Sequence, residues 1–342
     1  KQLNALNSSI VVDTTKTPDF STVSGNTGVK HNNNDGTSVE NQGDGTKGIY
    51  VSEDDLGKSY YFRGAVENNY VKFAGFYWRI IRINGDGSIR MIYAGTSAHP
   101  NGYDDSSLSD TIIGSSQYNT NFEDNAYVGY MYGTAGSSTY SETHKNTNNS
   151  TIKAYIDTWY KNNLINYTDY LQDSIYCNDR SVTPVESFLG MELSGNGTGT
   201  TFTAYSNLTR NFVNSPATPS LKCTNINDRF TVSSANGNGA LTYPIGLITT
   251  DEIILSGGKS YDMVNSSYIT NTDYYLFTGN FYWSMTPDAF AGGYAIVGTV
   301  RDDGVVAHSP VDDAGGVRSV VSLRSDVITG GNGTMNNPFV IG

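Results

Sequence analysis

The chain has 342 residues, 33 acidic and 21 basic side chains, and a net charge of -12. It is long enough for one large domain or two modest ones with ample core. It lacks the clustered Lys and Arg that neutralise phosphates, which argues against nucleic acid as a partner, and no window approaches the roughly 20 apolar residues of a bilayer span, so no direct membrane span is expected.

Residues 1–47 show no stable hydrophobic period. Stretches such as Ser24-Gly25-Asn26-Thr27-Gly28 and Asn32-Asn33-Asn34-Asp35-Gly36 predict an extended N-terminal arm or linker. No signal peptide is visible, and Lys1 is expected to follow a removed segment, with any anchor lying outside this sequence. Residues 48–342 are read as a single large domain with loop insertions. It begins with a strand at Gly48-Ile49-Tyr50-Val51, a turn at Asp54-Asp55-Leu56-Gly57 and a strand from Ser59 to Arg63. The densest β signal follows. Tyr70–Phe73 leads through Ala74-Gly75 into Phe76–Ile83, Asn84-Gly85-Asp86-Gly87 turns the chain, and Ser88–Tyr93 returns. That turn resembles the start of a calcium loop, but the flanking helices and distal Glu are absent, so a hairpin turn is expected.

Residues 95–148 are loop-rich, with Tyr127–Tyr132 expected as one embedded strand. Ser150–Asn162 is the clearest helix: Ser150 suits the N-cap, and Ile152, Tyr155, Ile156 and Trp159 fall on one face. An aromatic stripe at that spacing is read as core rather than as a ligand platform. Cys177 and Cys223 are the only cysteines. A zinc or redox site needs closer pairs. Two lone cysteines suit one disulfide in an oxidising compartment, and two buried free thiols are the alternative. Cys177-Asn178-Asp179-Arg180 is echoed by Asn227-Asp228-Arg229, which suggests structural ion pairs near the cysteines. Thr249-Thr250-Asp251-Glu252 reads as a capping box opening a short helix, Asp251–Ser256, stopped by Gly257-Gly258. The tail from Thr329 to Pro338 reads as a Gly/Asn turn before a last strand, Phe339–Ile341.

The stretch Phe281–Leu323 is the part that the rest is expected to carry. Strand signals at Phe281-Tyr282-Trp283 and Val317–Leu323 bracket small, polar, irregular residues, with Val297, Val300, Val305 and Val311 as anchors. A rigid frame holding loop residues without packing duty is the arrangement of a binding surface. An ordinary Gly-rich β-meander is the alternative. Ala74–Trp78 is echoed by Thr278–Trp283, read as two buried aromatic strands rather than a duplication. No catalytic motif stands out. His31, His99, His144 and His308 are scattered, no G-x-S-x-G elbow occurs, and no phosphate-loop or dinucleotide fingerprint occurs. Asp312-Asp313 offers paired acids for glycosidase chemistry, but adjacent acids in a Gly-rich loop are usually only solvated.

The run Tyr60–Arg82, together with Cys177–Arg180, Gly239–Ile248, Phe281-Tyr282-Trp283 and Gly316-Val317-Arg318, resembles a group of secreted proteins of Gram-positive gut-type bacteria. The resemblance covers most of the chain from Gly48 onward. It implies an α+β chain with a C-type-lectin-like fold in its formylglycine-generating-enzyme-like version, mostly antiparallel strands with a few short helices and long loops. This fold is similar to that of the variable proteins of diversity-generating retroelements, where copying errors at adenines rewrite Asn codons and rarely yield Lys, Glu, Gln, Met or Trp. Those residues are absent from Asp288–Gly316. Ser319 stands where the family usually has Pro. The enzyme cysteine pair is missing, so that activity is not carried over, and so is the calcium-site triplet of sugar-binding lectins. The expectation is therefore an extracellular or cell-surface ligand-binding or adhesion protein, not an enzyme, without cofactor or metal. Its partner would be an unidentified protein or glycan. The expected ligand face comprises Asp288, Ala289, Ile296, Gly298, Thr299, Arg301, Asp302, His308, Ser309, Asp313 and Ala314. A structural surface or filament subunit, self-associating through the same face, is the second reading, and a carbohydrate-active enzyme the third.

Overall fold

Two antiparallel-rich sheets share one apolar core. The computed structural model describes residues 30–32, 38–40, 47–101, 110–183, 187–188, 191–192, 195–213, 217–260 and 272–342. Most of the expected N-terminal arm lies outside them. Within it, Lys30–Asn32 pairs antiparallel with Ser38–Glu40.

The first sheet forms where the aromatic and β-branched runs predict strands. Its members are β1 (Gly48–Asp54), β2 (Gly57–Arg63), β3 (Tyr70–Phe73), β4 (Phe76–Ile83) and β5 (Ile89–Gly95). The C-terminal part of the chain completes it with strands at Val320–Leu323, Ile328–Gly330 and Phe339–Ile341. β4 is central. One edge carries β5, and the other carries β3 and then β2. The expected hairpin turn at Asn84–Gly87 closes with Gly87 N donating to Asn84 O. The last strand returns beside β3 in parallel, so both ends of the 48–342 segment are held in one sheet.

The second sheet uses β6 (Ser115–Gln117), β7 (Tyr282–Ala291), β8 (Tyr294–Val300), β9 (Val305–Pro310) and β10 (Ala314–Gly316). Across the sheet the order is Lys259–Ser260, β9, β8, β7, β10, β6, with Thr203–Ala204 also paired to β7. Here the strands run further than expected. Asp288–Ala291 and Ala307–Pro310, which read as loops, continue β7 and β9. Small residues next to Val carry a loop signal, yet ladder pairing on both sides of β8 overrides their low intrinsic preference.

Helix α1 (Thr151–Asn163) starts where expected, with Ser150 Oγ accepting from Lys153 N at 3.3 Å. It buries Ile152, Ile156 and Tyr160. Helix α2 (Thr250–Leu255) opens on the expected capping box between Thr249 and Glu252. The strand expected over Tyr127–Tyr132 is instead a 3-10 turn, Asn125–Val128, capped by Asp124, followed by a two-residue strand. Local side-chain capping wins over the alternating aromatic pattern there. One cluster of buried apolar side chains runs from Ile49 to Phe339 and takes in both sheets and α1. The two echoed tryptophans, Trp78 and Trp283, are fully buried in it. Each indole N–H donates to a backbone carbonyl, of Phe73 and Ser116 respectively, which satisfies the one polar atom each ring brings inside.

Cys177 and Cys223 form a disulfide. Beside it, Arg180 Nε donates to Asp228 Oδ1 at 2.7 Å, with both side chains buried. Arg229 reaches Asp55 at 2.9 Å. These are the structural ion pairs that the repeated Asn-Asp-Arg pattern suggests. Among the described residues no helix is long and apolar enough to cross a membrane.

Candidate functional site: the outer edge of the second sheet

The expected ligand face rests on β7–β10, whose valines build its floor. Val297, Val300, Val305, Val306 and Val311 are all 0 % exposed. Residues directly opposite in a ladder share a face. Ile296 lies opposite both Ala289 and Pro310, and Gly298 opposite His308. The expected residues divide into three groups on this frame.

The first group is buried, contrary to expectation. Asp288 is 1 % exposed, and Ala289, Gly298 and Thr299 are also buried. Gly298 has a steric reason: a Cβ there would collide with Thr250 Oγ1 and Ser284 Oγ, so α2 packs directly on the backbone of β8. Asp288 is buried because it is occupied. Asn207 Nδ2 donates to its Oδ1 at 3.1 Å, and His308 Nδ1 sits 3.0 Å from its Oδ2. These positions serve the fold and are withdrawn from the ligand face.

The second group lies at the wrong end. Arg301 and Asp302 occupy the β8–β9 turn, where Arg301 pairs with Asp303 at 3.2 Å. Asp313 and Ala314 follow the far end of β9, a strand of 6 residues, so the two pairs are roughly 20 Å apart at about 3.3 Å per residue. One small ligand cannot touch both.

The third group lies at one end of the sheet, with Ile296 and His308 on one face and Ser309, opposite Val297, on the other. Asp313 and Ala314 are exposed, and Ile296, His308 and Ser309 are half-buried. Tyr294 joins them at 41 % exposure, stacked on Phe122 with ring centroids 4.9 Å apart. Sequence reading passed over Tyr294 because an aromatic in a strand signals core. The preceding Gly292-Gly293 turn is the available hint, since it places Tyr294 at the start of a strand. Gln117 Nε2 donates to Asp312 O at 2.7 Å, and β6 pairs with Ala314 through Gln117, so this edge is tied down through its backbone rather than by its own exposed side chains.

His308 is the one titratable side chain at this edge with a resolved link to the interior. Its ring lies against Phe212 at 5.7 Å. Burial alone would lower its pKa, but the Asp288 carboxylate outweighs that and the net displacement is upward. Asp288 and His308 form a carboxylate–imidazole pair that reaches from the buried sheet to this edge.

A second concave feature lies under α2, beside the disulfide, and is lined by Asp54, Arg82, Arg90, Asp179, Arg210 and Glu252 among others. Its charges are spent on each other. Glu252 Oε1 is 2.8 Å from Arg82 Nε and 2.6 Å from Arg90 Nε, Arg82 also reaches Asp54 at 2.6 Å, and Arg210 joins Asp179 and Asp251. Burial would raise the Glu252 carboxyl, but the two guanidiniums and the hydrogen bonds to it hold it below its ordinary range. With its buried arginines and carboxylates paired in this way, the cluster is a structural knot. Among the described residues no group of three or more His, Cys, Asp or Glu side chains is placed to hold a metal ion.

Comparison with protein-family models, with curated proteins and with solved structures finds no match to this chain.

Proposed function

We propose that the chain is an extracellular or cell-surface binding protein, acting without catalysis, on a C-type-lectin-like scaffold whose ligand face is the outer edge of the second sheet. The face is narrower than the sequence suggests. It centres on Tyr294, Ile296, His308, Asp313 and Ala314, and leaves out Asp288, Ala289, Gly298, Thr299, Arg301, Asp302 and Ser309. The observation that carries the reading is a division of labour: the exposed side chains of Asp313 and Ala314 stand beside fully buried valines, so their chemistry can change without touching what holds the fold. The disulfide suits an oxidising compartment. The test is the DNA beside the gene. A reverse transcriptase gene and an adenine-rich near-copy of this 3′ end are expected, with substitutions confined to the exposed positions. An adjacent pilin or sortase gene without them overturns the variable-face reading in favour of a filament or surface-layer subunit.

A further inference from the structure

The outward flank of α1 carries a groove that the sheet edge does not use. It is lined by Ala154, Tyr155, Thr158, Trp159 and Asn162, with Ser116 of β6 opposite, and is an open groove of about 470 Å³. None of its lining residues is charged, although the chain carries a net charge of -12. Tyr155 and Trp159, expected to be core, are only half-buried, and the core of α1 is made by Ile152, Ile156 and Tyr160 instead.

Both rings are fixed from behind. Trp159 is braced by Phe76, Tyr93 and Trp78, at centroid distances of 5.5, 5.8 and 6.4 Å. Tyr155 donates its hydroxyl to Ile113 O at 3.2 Å. That hydroxyl passes over Gly114, where a Cβ would collide with it and where φ is +142°. A residue other than glycine there would be strained and would push Tyr155 aside. Aromatic surface held rigid before a ligand arrives loses little freedom on binding. Hydrogen-bonding capacity surrounds it. Thr158 Oγ1 and Ser116 Oγ each donate to a backbone carbonyl, of Ala154 and Gln117, which leaves their lone pairs as acceptors. Asn162 is exposed.

A charged ligand would find no counter-charge among these residues. A purely apolar one would leave the amide and hydroxyl rim unpaired. A protein partner needs about 800 Å² of surface, more than a groove of this size presents. A sugar ring matches both parts, with an apolar C–H face for the aromatic rings and a hydroxyl rim for the amide and hydroxyls. We propose that the groove between α1 and β6 binds a short neutral saccharide, with Trp159 and Tyr155 as stacking surfaces and Asn162, Thr158 and Ser116 as hydrogen-bond partners. The proposal rests on the reading of the chain as a binding protein but uses a separate surface.

The test exploits tryptophan. Of the three tryptophans, Trp78 and Trp283 are 0 % exposed, so only Trp159 can report a ligand. The whole chain is applied to an array of neutral and sialylated oligosaccharides, and each hit is titrated against tryptophan emission. A neutral hit with a saturable emission change is expected. Ala154→Glu, at an exposed helix position, should weaken it at least tenfold without lowering the melting temperature, and Trp159→Phe should abolish the emission change. Failure of every neutral saccharide to bind overturns the proposal, as does binding that Ala154→Glu leaves unchanged. A hit lost on Tyr294→Ala but kept in Ala154→Glu removes the groove and supports the sheet edge instead.

Discussion

Glu252 and Asp313 are both carboxylates within the second sheet's surroundings, yet the structure treats them in opposite ways. Glu252 is 2 % exposed and meets two arginines and the N-cap of α2. Asp313 stands in solvent at the outer edge and, among the described residues, makes no ion pair. The first region has its buried arginines and carboxylates paired with one another, and such a region holds a fold. The second has exposed side chains, Asp313 and Ala314, on a floor that does not need them, and there a ligand finds unspent hydrogen-bonding capacity. Burial and saturation together separate the two. Charge density alone points to the wrong one, since the knot under α2 is the more charged.

The sharpest way to break this comparison is to remove Glu252. Glu252→Ala leaves Arg90 without a carboxylate and Arg82 with Asp54 alone, so a loss toward the upper end of about 3–5 kcal/mol is expected. Denaturant unfolding measures it. A loss under about 1 kcal/mol, the size of an exposed pair, would mean that the knot is not structural and that its cavity deserves a functional reading. Next comes the disulfide. Replacing Cys177 and Cys223 by Ser reopens a separation of 46 residues, which costs about 4 kcal/mol on loop-entropy grounds. Non-reducing peptide mapping of the parent chain should recover the linked pair.

Much of the first region was legible in the sequence, because its signals are local. The hairpin at Asn84–Gly87, the Ser150 cap and the Thr249–Glu252 box each depend on residues within a few positions of one another. So does the strand alternation from Tyr70 to Tyr93. The second region was read less well. Asp288 looked like a loop acid because its partners, Asn207 and His308, lie 81 and 20 positions away in sequence. Arg301 and Ala314 looked like neighbours because sequence distance says nothing about which end of a strand a turn occupies. Tyr155 and Trp159 read as core because helical spacing gives the face but not how far around the helix burial extends.

A smaller, pH-dependent effect sharpens the comparison through two histidines. His144 is buried against Tyr140, whose carbonyl is 2.7 Å from its Nδ1. Burial, with the Arg180 charge, pushes its pKa down to about 3. The unfolded chain then binds a proton that the folded one does not, so this contribution is complete above an unfolded pKa of about 6.5 and is lost as pH falls toward 3, at up to about 1.4 kcal/mol per pH unit. His308 has the opposite sign. Its folded pKa lies above the unfolded value because Asp288 outweighs burial, so its contribution is full below about pH 6.5 and fades as pH rises through the folded pKa. Melting curves from pH 4 to 9 should show His144→Gln flattening the acid limb and His308→Gln flattening the limb above 6.5. An unchanged alkaline limb in His308→Gln would show that the Asp288 contact carries no net charge coupling.

The smallest expected effect is the one on which the proposed face depends. Tyr294, Asp313 and Ala314 are exposed, and the bonds that fix their strands are backbone bonds between β7, β8, β9, β10 and β6. Tyr294 does cover part of Phe122, so its replacement is not free, and an aromatic pair is worth about 0.5–1.5 kcal/mol beyond burial. Asp313 and Ala314 have no such contact, and surface changes of that kind stay within about 0.5 kcal/mol. Tyr294→Ser, Asp313→Asn and Ala314→Ser combined should therefore lower stability by about 1–2 kcal/mol, a shift of a few degrees in melting temperature for a chain of this size, while changing which ligands bind. Asp313→Asn with Ala314→Ser should leave melting unchanged. Cooperative unfolding at markedly lower temperature in the double variant would show that these side chains do hold the edge, and the distinction between a saturated interior and an unspent surface would fail at the place where it matters most.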